Sequence, residues 1–399
     1  MGSIRGKVAI VGMGCTVAGE RFDASQEDMI VEAGFEAIAD AGVETKDIQA
    51  AWFGCNSVSA NHALLNWSLK LGYKPMTKVN NGGASGADVL RHACLAVASG
   101  TFDLVLALGI EKATDAGFTA PGEGGRAFGG EGHVGPESLF TELRVPAQYA
   151  LYATRYAHQY GLRPEELKEA LARIAVKSRR AGARNPRAAL RDEITLREAL
   201  ESPPIAWPLG LTDCCAVADG GAAAIVCTPE VARQLRDDFV LVEGLGQASG
   251  GREGQLAPSY SFSGLPETAL AAERAYLMAG VRDPLRAVGH AQLFDAFTLL
   301  EFLACEDLGL APRGQAAARL QAGFFDPEGE LPTNTDGGLL ANGYQPGGTG
   351  LRQVYESYLQ LRGRAGPRQL KNVTRSLVQT QGGAAGSFTS LVQLFTTRD

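Results

Sequence analysis

Two glycine-rich segments have the features of a site for a developing negative charge. Residues 80–86 read Asn-Asn-Gly-Gly-Ala-Ser-Gly and precede a predicted helix over about 87–99. Residues 343–350 read Gly-Tyr-Gln-Pro-Gly-Gly-Thr-Gly and precede a predicted helix over about 351–361. Small residues let the backbone approach a ligand closely, and a helix N-terminus presents free N–H groups with positive potential. Such positions suit an oxyanion that forms during a reaction.

Three polar side chains of the second half could take part in such chemistry. Tyr344, in the second loop, could accept or relay a proton. Because a free tyrosine has a pKa of about 10, this role requires a neighbour that lowers the pKa or a shared proton relay. His290 could orient a catalytic group, and Asp295 could hold a loop or polarise a neighbour. The alternative for each is a structural residue whose polar atoms are satisfied inside a core.

A run of positive charge stands out in an acidic chain. The residues that could bind phosphate are Lys177, Arg179, Arg180 and Arg184. They follow an amphipathic helical pattern, and clustered positive charge attracts phosphate groups. The alternative is the solvated end of a helix.

Composition limits the classes of function. A chain of 399 residues exceeds the usual size of one core, and 45% apolar with 20% charged residues is typical of globular proteins. No run approaches the roughly 20 apolar residues that a membrane helix needs, and the N-terminal residues lack a signal-peptide pattern, which favours the cytoplasm. Seven cysteines without a CxxC pair indicate reduced thiols, and five scattered histidines predict no metal site. A net charge of −7 argues against a nucleic-acid partner.

The chain contains an internal repeat. Residues 8–14 (Val-Ala-Ile-Val-Gly-Met-Gly) resemble residues 240–246 (Val-Leu-Val-Glu-Gly-Leu-Gly), and each stretch reads as a buried strand that enters a glycine turn. Helical patterns then end at Gly42 and at Gly280, where a helix C-cap favours glycine. Each half ends on a Gly-Gly-Ala-Ala stretch that begins at residue 220 or 382. Two similar halves are predicted, with boundaries 1–235 and 236–399.

The two halves differ in length, which locates an insertion. Gly42 lies 178 residues before Gly220, but Gly280 lies only 102 residues before Gly382, so the first half carries 76 extra residues. The stretch of about 113–200 fits, because it opens with a glycine-rich segment (122–135) and continues with helical patterns. Strands that alternate with helices in both halves predict an α/β fold with two parallel-type sheets, packed as a pseudo-symmetric pair.

At the glycine loops the sequence resembles the thiolase superfamily, in particular its sterol-carrier-type branch. The residues that carry this resemblance span the chain: 79–86, 105–112, 219–224, 334–338 and 343–350. It implies a thiolase fold of five α-β-α-β-α layers, with two similar halves, an inserted loop domain and a homodimer paired through the strand at 104–109. It also implies backbone oxyanion donors at Gly83 and Gly383, and coenzyme A as the source of the phosphates that the basic run would bind.

The departures from the family pattern change the expected chemistry. Thiolases carry their nucleophilic cysteine where this chain has Gly83, and a histidine where it has Tyr344. Sterol-carrier-type thiolases carry a further histidine where it has Phe294 in Leu293-Phe294-Asp295-Ala296-Phe297, and no cysteine follows Cys305. Glycine has no side chain to acylate, so thioester chemistry through an acyl-enzyme is excluded.

This pattern resembles the steroid side-chain aldolases, which work with a small OB-fold partner. The resemblance implies retro-aldol cleavage of a 17-hydroxy steroid side-chain CoA thioester to a 17-ketosteroid and propionyl-CoA, in a heterotetramer of two chains of each kind. No cofactor is expected beyond the coenzyme A of the substrate. The aldolases place tyrosines at both former histidine positions, so Tyr344 matches and Phe294 stands where a tyrosine is expected. A cysteine-independent acyltransferase and a non-catalytic lipid or acyl-CoA carrier are the alternatives.

Overall fold

The structure, a computed structural model, describes residues 3–57, 60–116 and 145–397. Its strands are β1 (Ala9–Cys15), β2 (Ala50–Gly54), β3 (Met76–Val79), β4 (Leu104–Glu111), β5 (Pro204–Ala206), β6 (Leu209–Gly210), β7 (Gly220–Cys227), β8 (Val240–Ser249), β9 (His290–Gln292), β10 (Arg375–Ala384) and β11 (Ser387–Thr396).

The helices alternate with these strands along much of the chain, as the sequence pattern predicts. They are α1 (Gln26–Ala41), α2 (His62–Leu69), α3 (Ser85–Ala98), α4 (Val145–Tyr160), α5 (Pro164–Ala183), α6 (Leu196–Leu200), α7 (Pro229–Leu235), α8 (Glu253–Leu256), α9 (Pro266–Ala279), α10 (Pro284–Ala287), α11 (Thr298–Asp307), α12 (Ala316–Gln321), α13 (Gly338–Asn342) and α14 (Thr349–Leu361).

Nine strands hydrogen-bond in the order β3-β2-β4-β7-β1-β8-β11-β10-β9. The prediction of parallel-type sheets is right only in part. Strand β2 is parallel to β3 and β4, and β9 is parallel to β10, but β1 is antiparallel to both β7 and β8, and β10 is antiparallel to β11. The first five strands come from the first half and the last four from the second. Only the pairs Ala9 with Leu241 and Ile10 with Val240 join the two groups across β1 and β8.

Helices separate and cover the two groups of strands. Helix α1 packs on β1 and β7, and α9 packs on β8 and β11. Between the two groups, α3 and α14 pack against each other, α3 on β2 and β4 and α14 on β10. The order of layers is therefore α-β-α-β-α, the thiolase fold that the resemblance implies.

The glycines of the internal repeat bring a helix close to its strand in each half. A Cβ at Gly12 would collide with the carbonyl oxygen of Ala37 in α1, and a Cβ at Gly246 would collide with that of Ala271 in α9. The predicted helix ends are also observed, since Gly42 and Gly280 are left-handed C-caps with φ of 71° and 70°. The repeat in the sequence thus encodes the same strand-to-helix packing twice.

The predicted insertion contributes helices that pack on the second half. Helix α5 contacts α11, α12 and α13. The glycine-rich opening of the insertion, residues 122–135, lies outside the described residues. The boundaries at 113–200 and at 235/236 stay predictions. Within the described part of the chain, no helix is long and apolar enough to cross a membrane.

The strand expected at a dimer interface lies inside the sheet. Residues 104–109 belong to β4, which pairs with β2 on one side and with β7 on the other. Both of its edges are already hydrogen-bonded, so it has no free edge for a second copy and this part of the prediction is wrong. The end strand of the first half is β3, which immediately precedes the first glycine loop. The homodimer itself stays a prediction.

Candidate active site

The first glycine loop lies against the Gly-Gly pair of β10. A Cβ at Gly382 would be 2.7 Å from the Gly83 nitrogen, and a Cβ at Gly82 would be 3.4 Å from the Gly383 nitrogen. The loop is shaped by Ser85, whose Oγ accepts from the Asn81 N–H at 2.8 Å and donates to the Gly82 carbonyl at 2.6 Å. The fold therefore brings together Gly83 and Gly383, the two residues predicted to supply oxyanion donors.

Tyr344 reaches the same point from the second loop. A Cβ at Gly83 would be 2.5 Å from the Tyr344 hydroxyl oxygen and 2.6 Å from the Gln381 carbonyl oxygen. The Tyr344 backbone is fixed by hydrogen bonds with Ala216 and Ala218, at 2.8 and 3.1 Å. The phenol thus occupies the space into which any side chain at position 83 would extend.

Phe294 packs edge-on against Tyr344, with ring centroids 5.8 Å apart at an interplanar angle of 90°. Both residues belong to the second half of the chain. The Phe294 N–H donates to Gln379 Oε1 at 3.0 Å. The Asp295 carboxylate accepts from the Leu339 N–H at 2.6 Å and thereby holds the first turn of α13, which is a positioning role.

Burial controls the proton affinity of Tyr344. Desolvation raises its pKa well above the usual value, and the nearby Tyr149, Cys215 and Glu111 raise it further. The lowered pKa that a tyrosine base would need is therefore not provided, and Tyr344 is a neutral phenol that can donate or relay a proton.

Glu111 joins the second loop to the first half, a role that the sequence analysis missed. Its buried carboxylate accepts from the backbone N–H groups of Gly347, Asn56 and Ser57, at 3.0, 3.0 and 3.2 Å. Desolvation raises its pKa. A sequence signal was present, because an acidic residue directly follows the apolar run of β4 and needs buried partners.

Most glycines of the second loop serve packing rather than ligand approach. A Cβ at Gly347 would collide with the Ile110 carbonyl oxygen, and a Cβ at Gly350 would collide with the Ala87 nitrogen at the start of α3. The small residues let α14 and its loop contact the first half closely. The expectation that they also bring the backbone to a ligand stays a prediction.

An aromatic wall borders Tyr344 and comes partly from the predicted insertion. Tyr149 of α4 packs on Phe297 with ring centroids 4.6 Å apart and stacks on Phe388 at 6.2 Å. Tyr149 also interacts electrostatically with Tyr344. The sequence analysis did not single out these residues, although the aromatic spacing in 145–160 follows a helical period.

His290 is structural rather than catalytic in this arrangement. Its Nδ1 is 2.9 Å from Ser376 Oγ and its Nε2 is 3.0 Å from Thr335 Oγ1, so both ring nitrogens are occupied. Desolvation lowers its pKa to about 4, which keeps the ring neutral at physiological pH. None of these contacts is with Tyr344 or Phe294, so they give no support to the prediction that His290 orients a catalytic group.

The basic run divides into buried and exposed members. Lys177 is buried and forms an ion pair with Glu301 and a hydrogen bond with Thr333, so the prediction that it binds phosphate is wrong. Its charge is neutralised inside the protein. Arg179 donates to the Asp192 carbonyl at 2.9 Å. Arg180 and Arg184 share Glu328, at 2.6 and 3.7 Å, and remain partly exposed.

All seven cysteines are buried, and desolvation raises the pKa of each thiol. A nucleophilic cysteine needs the opposite shift, because the thiolate is the reactive form. In the described part of the chain, no cluster of three or more His, Cys, Asp or Glu residues could hold a metal ion.

Family models match both halves of the chain. The thiolase N-terminal domain matches residues 8–201, and the thiolase C-terminal domain-like family matches residues 253–393. An acetyl-CoA acetyltransferase of Methanothermobacter thermautotrophicus is 34% identical over 97% of this chain and 99% of that protein. The chain belongs to the thiolase family. A steroid side-chain-cleaving aldolase of Thermomonospora curvata is 32% identical, over 89% of this chain and 90% of that enzyme.

Among solved structures, this thiolase-family chain is similar to an aldolase described as Ltp2-ChsH2(DUF35). The TM-score is 0.83 at 29% identity, and the match covers 100% of both chains. Proteins similar to this thiolase-family chain thus include both an acyltransferase and aldolases. The identity values alone do not separate the two, so the site must decide.

Replacing Gly83 with cysteine is expected not to create a thiolase. The new Cβ would meet the Tyr344 hydroxyl and the Gln381 carbonyl, and the histidines that would activate a thiolate are replaced by Phe294 and Tyr344. Overpacking should also lower the free energy of unfolding by about 1–3 kcal/mol. Thiolysis of acetoacetyl-CoA and urea unfolding test this. Gly83→Ala is the control for the steric part. Measurable thiolysis by Gly83→Cys would contradict the interpretation.

His290 should make the protein sensitive to acid. Its pKa is about 4 in the fold against about 6.5 in the unfolded chain, so the unfolded state binds a proton first as the pH falls. Protonation of this group in the unfolded chain should lower the free energy of unfolding by about 3 kcal/mol as the pH falls from 6.5 to 4. Urea unfolding across that range should show that the free energy of unfolding falls less steeply with decreasing pH in His290→Gln than in the wild type. His62→Gln, a control at an exposed position, should keep the wild-type slope. Equal slopes in all three proteins would show that His290 does not titrate as argued.

Proposed function

We propose that this chain cleaves a 17-hydroxy steroid side-chain CoA thioester by a retro-aldol reaction that forms no acyl-enzyme. The observation that carries the proposal is the Tyr344 hydroxyl, which lies where a side chain at position 83 would begin. A nucleophile at that position and Tyr344 in its present place exclude each other. The site therefore offers proton transfer and oxyanion binding, which are the two needs of a retro-aldol cleavage.

The reaction balances without a redox partner or water. A base accepts the proton of the 17-hydroxyl, the bond between C17 and the α-carbon of the thioester breaks, and its electron pair passes into the thioester as an enolate. Protonation of the enolate carbon gives propionyl-CoA, and C17 becomes a ketone. Because no electrons are exchanged, we propose that no cofactor takes part beyond the coenzyme A of the substrate.

Tyr344 serves as the proton relay in this scheme. Its phenol is neutral because burial raises its pKa, so it donates to the alcohol oxygen or passes the alcohol proton on. The backbone N–H groups of Gly83 and Gly383 bind the enolate oxygen. A donor of this kind typically stabilises a transition state by about 3 kcal/mol.

The similarity to the Thermomonospora curvata aldolase and the Ltp2-ChsH2(DUF35) aldolase supports this choice. The acetyl-CoA acetyltransferase relative supports acyl transfer instead. Acyl transfer through a cysteine lacks its nucleophile, because all seven thiols are buried with raised pKa values and none lies in residues 80–86.

We further propose that the chain acts in the cytoplasm as a homodimer bound to two copies of a small OB-fold protein. The ChsH2(DUF35) component named with the aldolase structure supports a small partner. Arg179, Arg180 and Arg184 remain candidates for the phosphates of coenzyme A. The acidic net charge gives no support for a nucleic-acid partner.

The proposal is tested by incubating the chain, with and without its partner, with a 17-hydroxy steroid side-chain CoA thioester. Equal amounts of 17-ketone and propionyl-CoA are expected with the partner, and thiolysis of acetoacetyl-CoA is expected in neither case. Intact substrate in the presence of the partner would exclude the aldolase. Acetyl transfer without cleavage would support the acyltransferase.

A non-catalytic acyl-CoA carrier is the second candidate, and Phe294 is the observation that favours it. The ring lies edge-on against Tyr344 but has no hydroxyl, so one of the two groups expected to handle protons is missing. Tight binding of the CoA thioester without turnover is the expected result for a carrier.

Phe294→Tyr should raise kcat about 10²-fold in the aldolase assay, because a positioned acid or base contributes at least that much. The new hydroxyl would lie beside Tyr344 and within reach of the substrate alcohol or ketone. KM and stability should change little, because the rings have the same shape. Phe297→Tyr, which adds a hydroxyl to a neighbouring ring of the wall, is the matched control and should not gain activity. An unchanged kcat for Phe294→Tyr would make position 294 a packing residue.

A further inference from the structure

Gln381 is a buried side chain at the meeting point of the loops, and its amide nitrogen lacks a partner. The residue is 1% exposed. The backbone carbonyl oxygen of Gln381 is one of the two atoms that a Cβ at Gly83 would meet. Among the described residues, no acceptor lies at hydrogen-bonding geometry to Gln381 Nε2. A buried amide donor without an acceptor costs about 1–3 kcal/mol, so its presence beside a candidate site points to a ligand.

The orientation of this amide is fixed by a chain of hydrogen bonds. The Phe294 backbone N–H can only donate, so the atom of Gln379 that faces it, 3.0 Å away, is the oxygen. Gln379 Nε2 is then a donor, and it faces Gln381 at 3.2 Å. The Gln381 atom that accepts this bond must be its oxygen. The nitrogen of Gln381 is consequently the atom left without a partner.

The backbone carbonyl of Gln381 lies at Gly83, and its side chain neighbours an aromatic residue that borders Tyr344. The amide N–H of Gln381 does not reach hydrogen-bonding geometry with the Tyr149 phenol. It lies close enough to counteract part of the rise in the Tyr149 pKa that desolvation and Cys215 cause. Tyr149 in turn interacts with Tyr344, whose hydroxyl lies at Gly83. The donors around this point are thus Gly83, Gly383, Tyr344 and the Gln381 amide.

We propose that the side-chain N–H of Gln381 donates a hydrogen bond to the thioester oxygen of the bound acyl-CoA. This inference deepens the proposed function and rests on it for the catalytic part. An oxygen that becomes more negative as the enolate forms gains more from this donor than the substrate carbonyl does. Gln381 is then a catalytic residue that touches the substrate, and Gln379 is a positioning residue.

The catalytic part is tested with Gln381→Met, which keeps much of the volume but has no N–H group. We expect kcat for 17-ketone formation, with the partner bound, to fall about 10²-fold. Gln393→Met is the matched control, because Gln393 is equally buried but donates to the Ala87 carbonyl at 3.0 Å; it should lose stability and keep kcat. An unchanged kcat in a folded Gln381→Met protein would overturn the inference and leave the aldolase proposal intact.

Gln381→Glu provides a second variant with the shape of the original side chain. Only the protonated carboxyl can donate, so its kcat should increase as the pH falls, while the wild-type kcat does not follow this trend. Such a pH profile would not arise if position 381 served packing alone. A profile identical to that of the wild type, at wild-type kcat, would contradict the role of the amide.

A binding measurement separates this inference from the proposed function. The complex is titrated by calorimetry with propionyl-CoA and with CoA, two ligands that differ only in the acyl group. The wild type should bind propionyl-CoA more tightly than CoA. In Gln381→Met the ratio of the two affinities should be about threefold to tenfold smaller, with the affinity for CoA unchanged. If the wild type does not cleave the steroid thioester, the aldolase proposal fails but this difference still tests Gln381. An equal preference in both proteins would overturn it.

Discussion

The absence of a side chain at position 83 is the constraint on which the rest of the site depends. The Tyr344 hydroxyl and the Gln381 carbonyl both lie within 2.6 Å of where a Cβ would stand. Any larger residue would have to move a loop from the second half or a strand of the sheet. A nucleophile on the first loop and a phenol on the second are therefore alternatives in one volume. In this chain the Tyr344 phenol occupies the space beside position 83.

The two loops can compete for one volume because the central layer brings them into direct contact. Helices α3 and α14 begin beside each other, and Gly350 has no side chain where the Ala87 nitrogen approaches. Glu111 then fixes the second loop from the opposite side through the Gly347 N–H. Since this carboxyl group is buried, the three N–H groups that donate to it provide the hydrogen bonds that water cannot. The position of Tyr344 thus follows from packing in both halves.

The sequence was sufficient for features encoded locally. Gly12 and Gly246 occupy matching positions in the two repeated stretches because a helix must approach the strand closely at each of them. This requirement is visible in the sequence as the repeated motif. Tyr344 and Phe294 could be assigned from the sequence only because the resemblance to the thiolase motifs marks their positions. Features that depend on distant partners could not be predicted in this way: Lys177 is neutralised by Glu301, 124 residues away, and the strand at 104–109 is enclosed by strands from both sides. A pattern of charge or hydrophobicity does not specify which neighbour covers it.

The polarity of the site follows from the same packing. Tyr344, Cys215 and Glu111 have raised pKa values because the loops exclude water from their side chains. An environment of this kind disfavours any fixed anion, whether thiolate or phenolate, but it strengthens hydrogen bonds to a charge that develops only during the reaction. Acyl transfer through a thiolate requires the anion before the substrate reacts. A retro-aldol cleavage generates its anion on the substrate, beside donors that are already in place, and this is the order of events that a buried, neutral site can support.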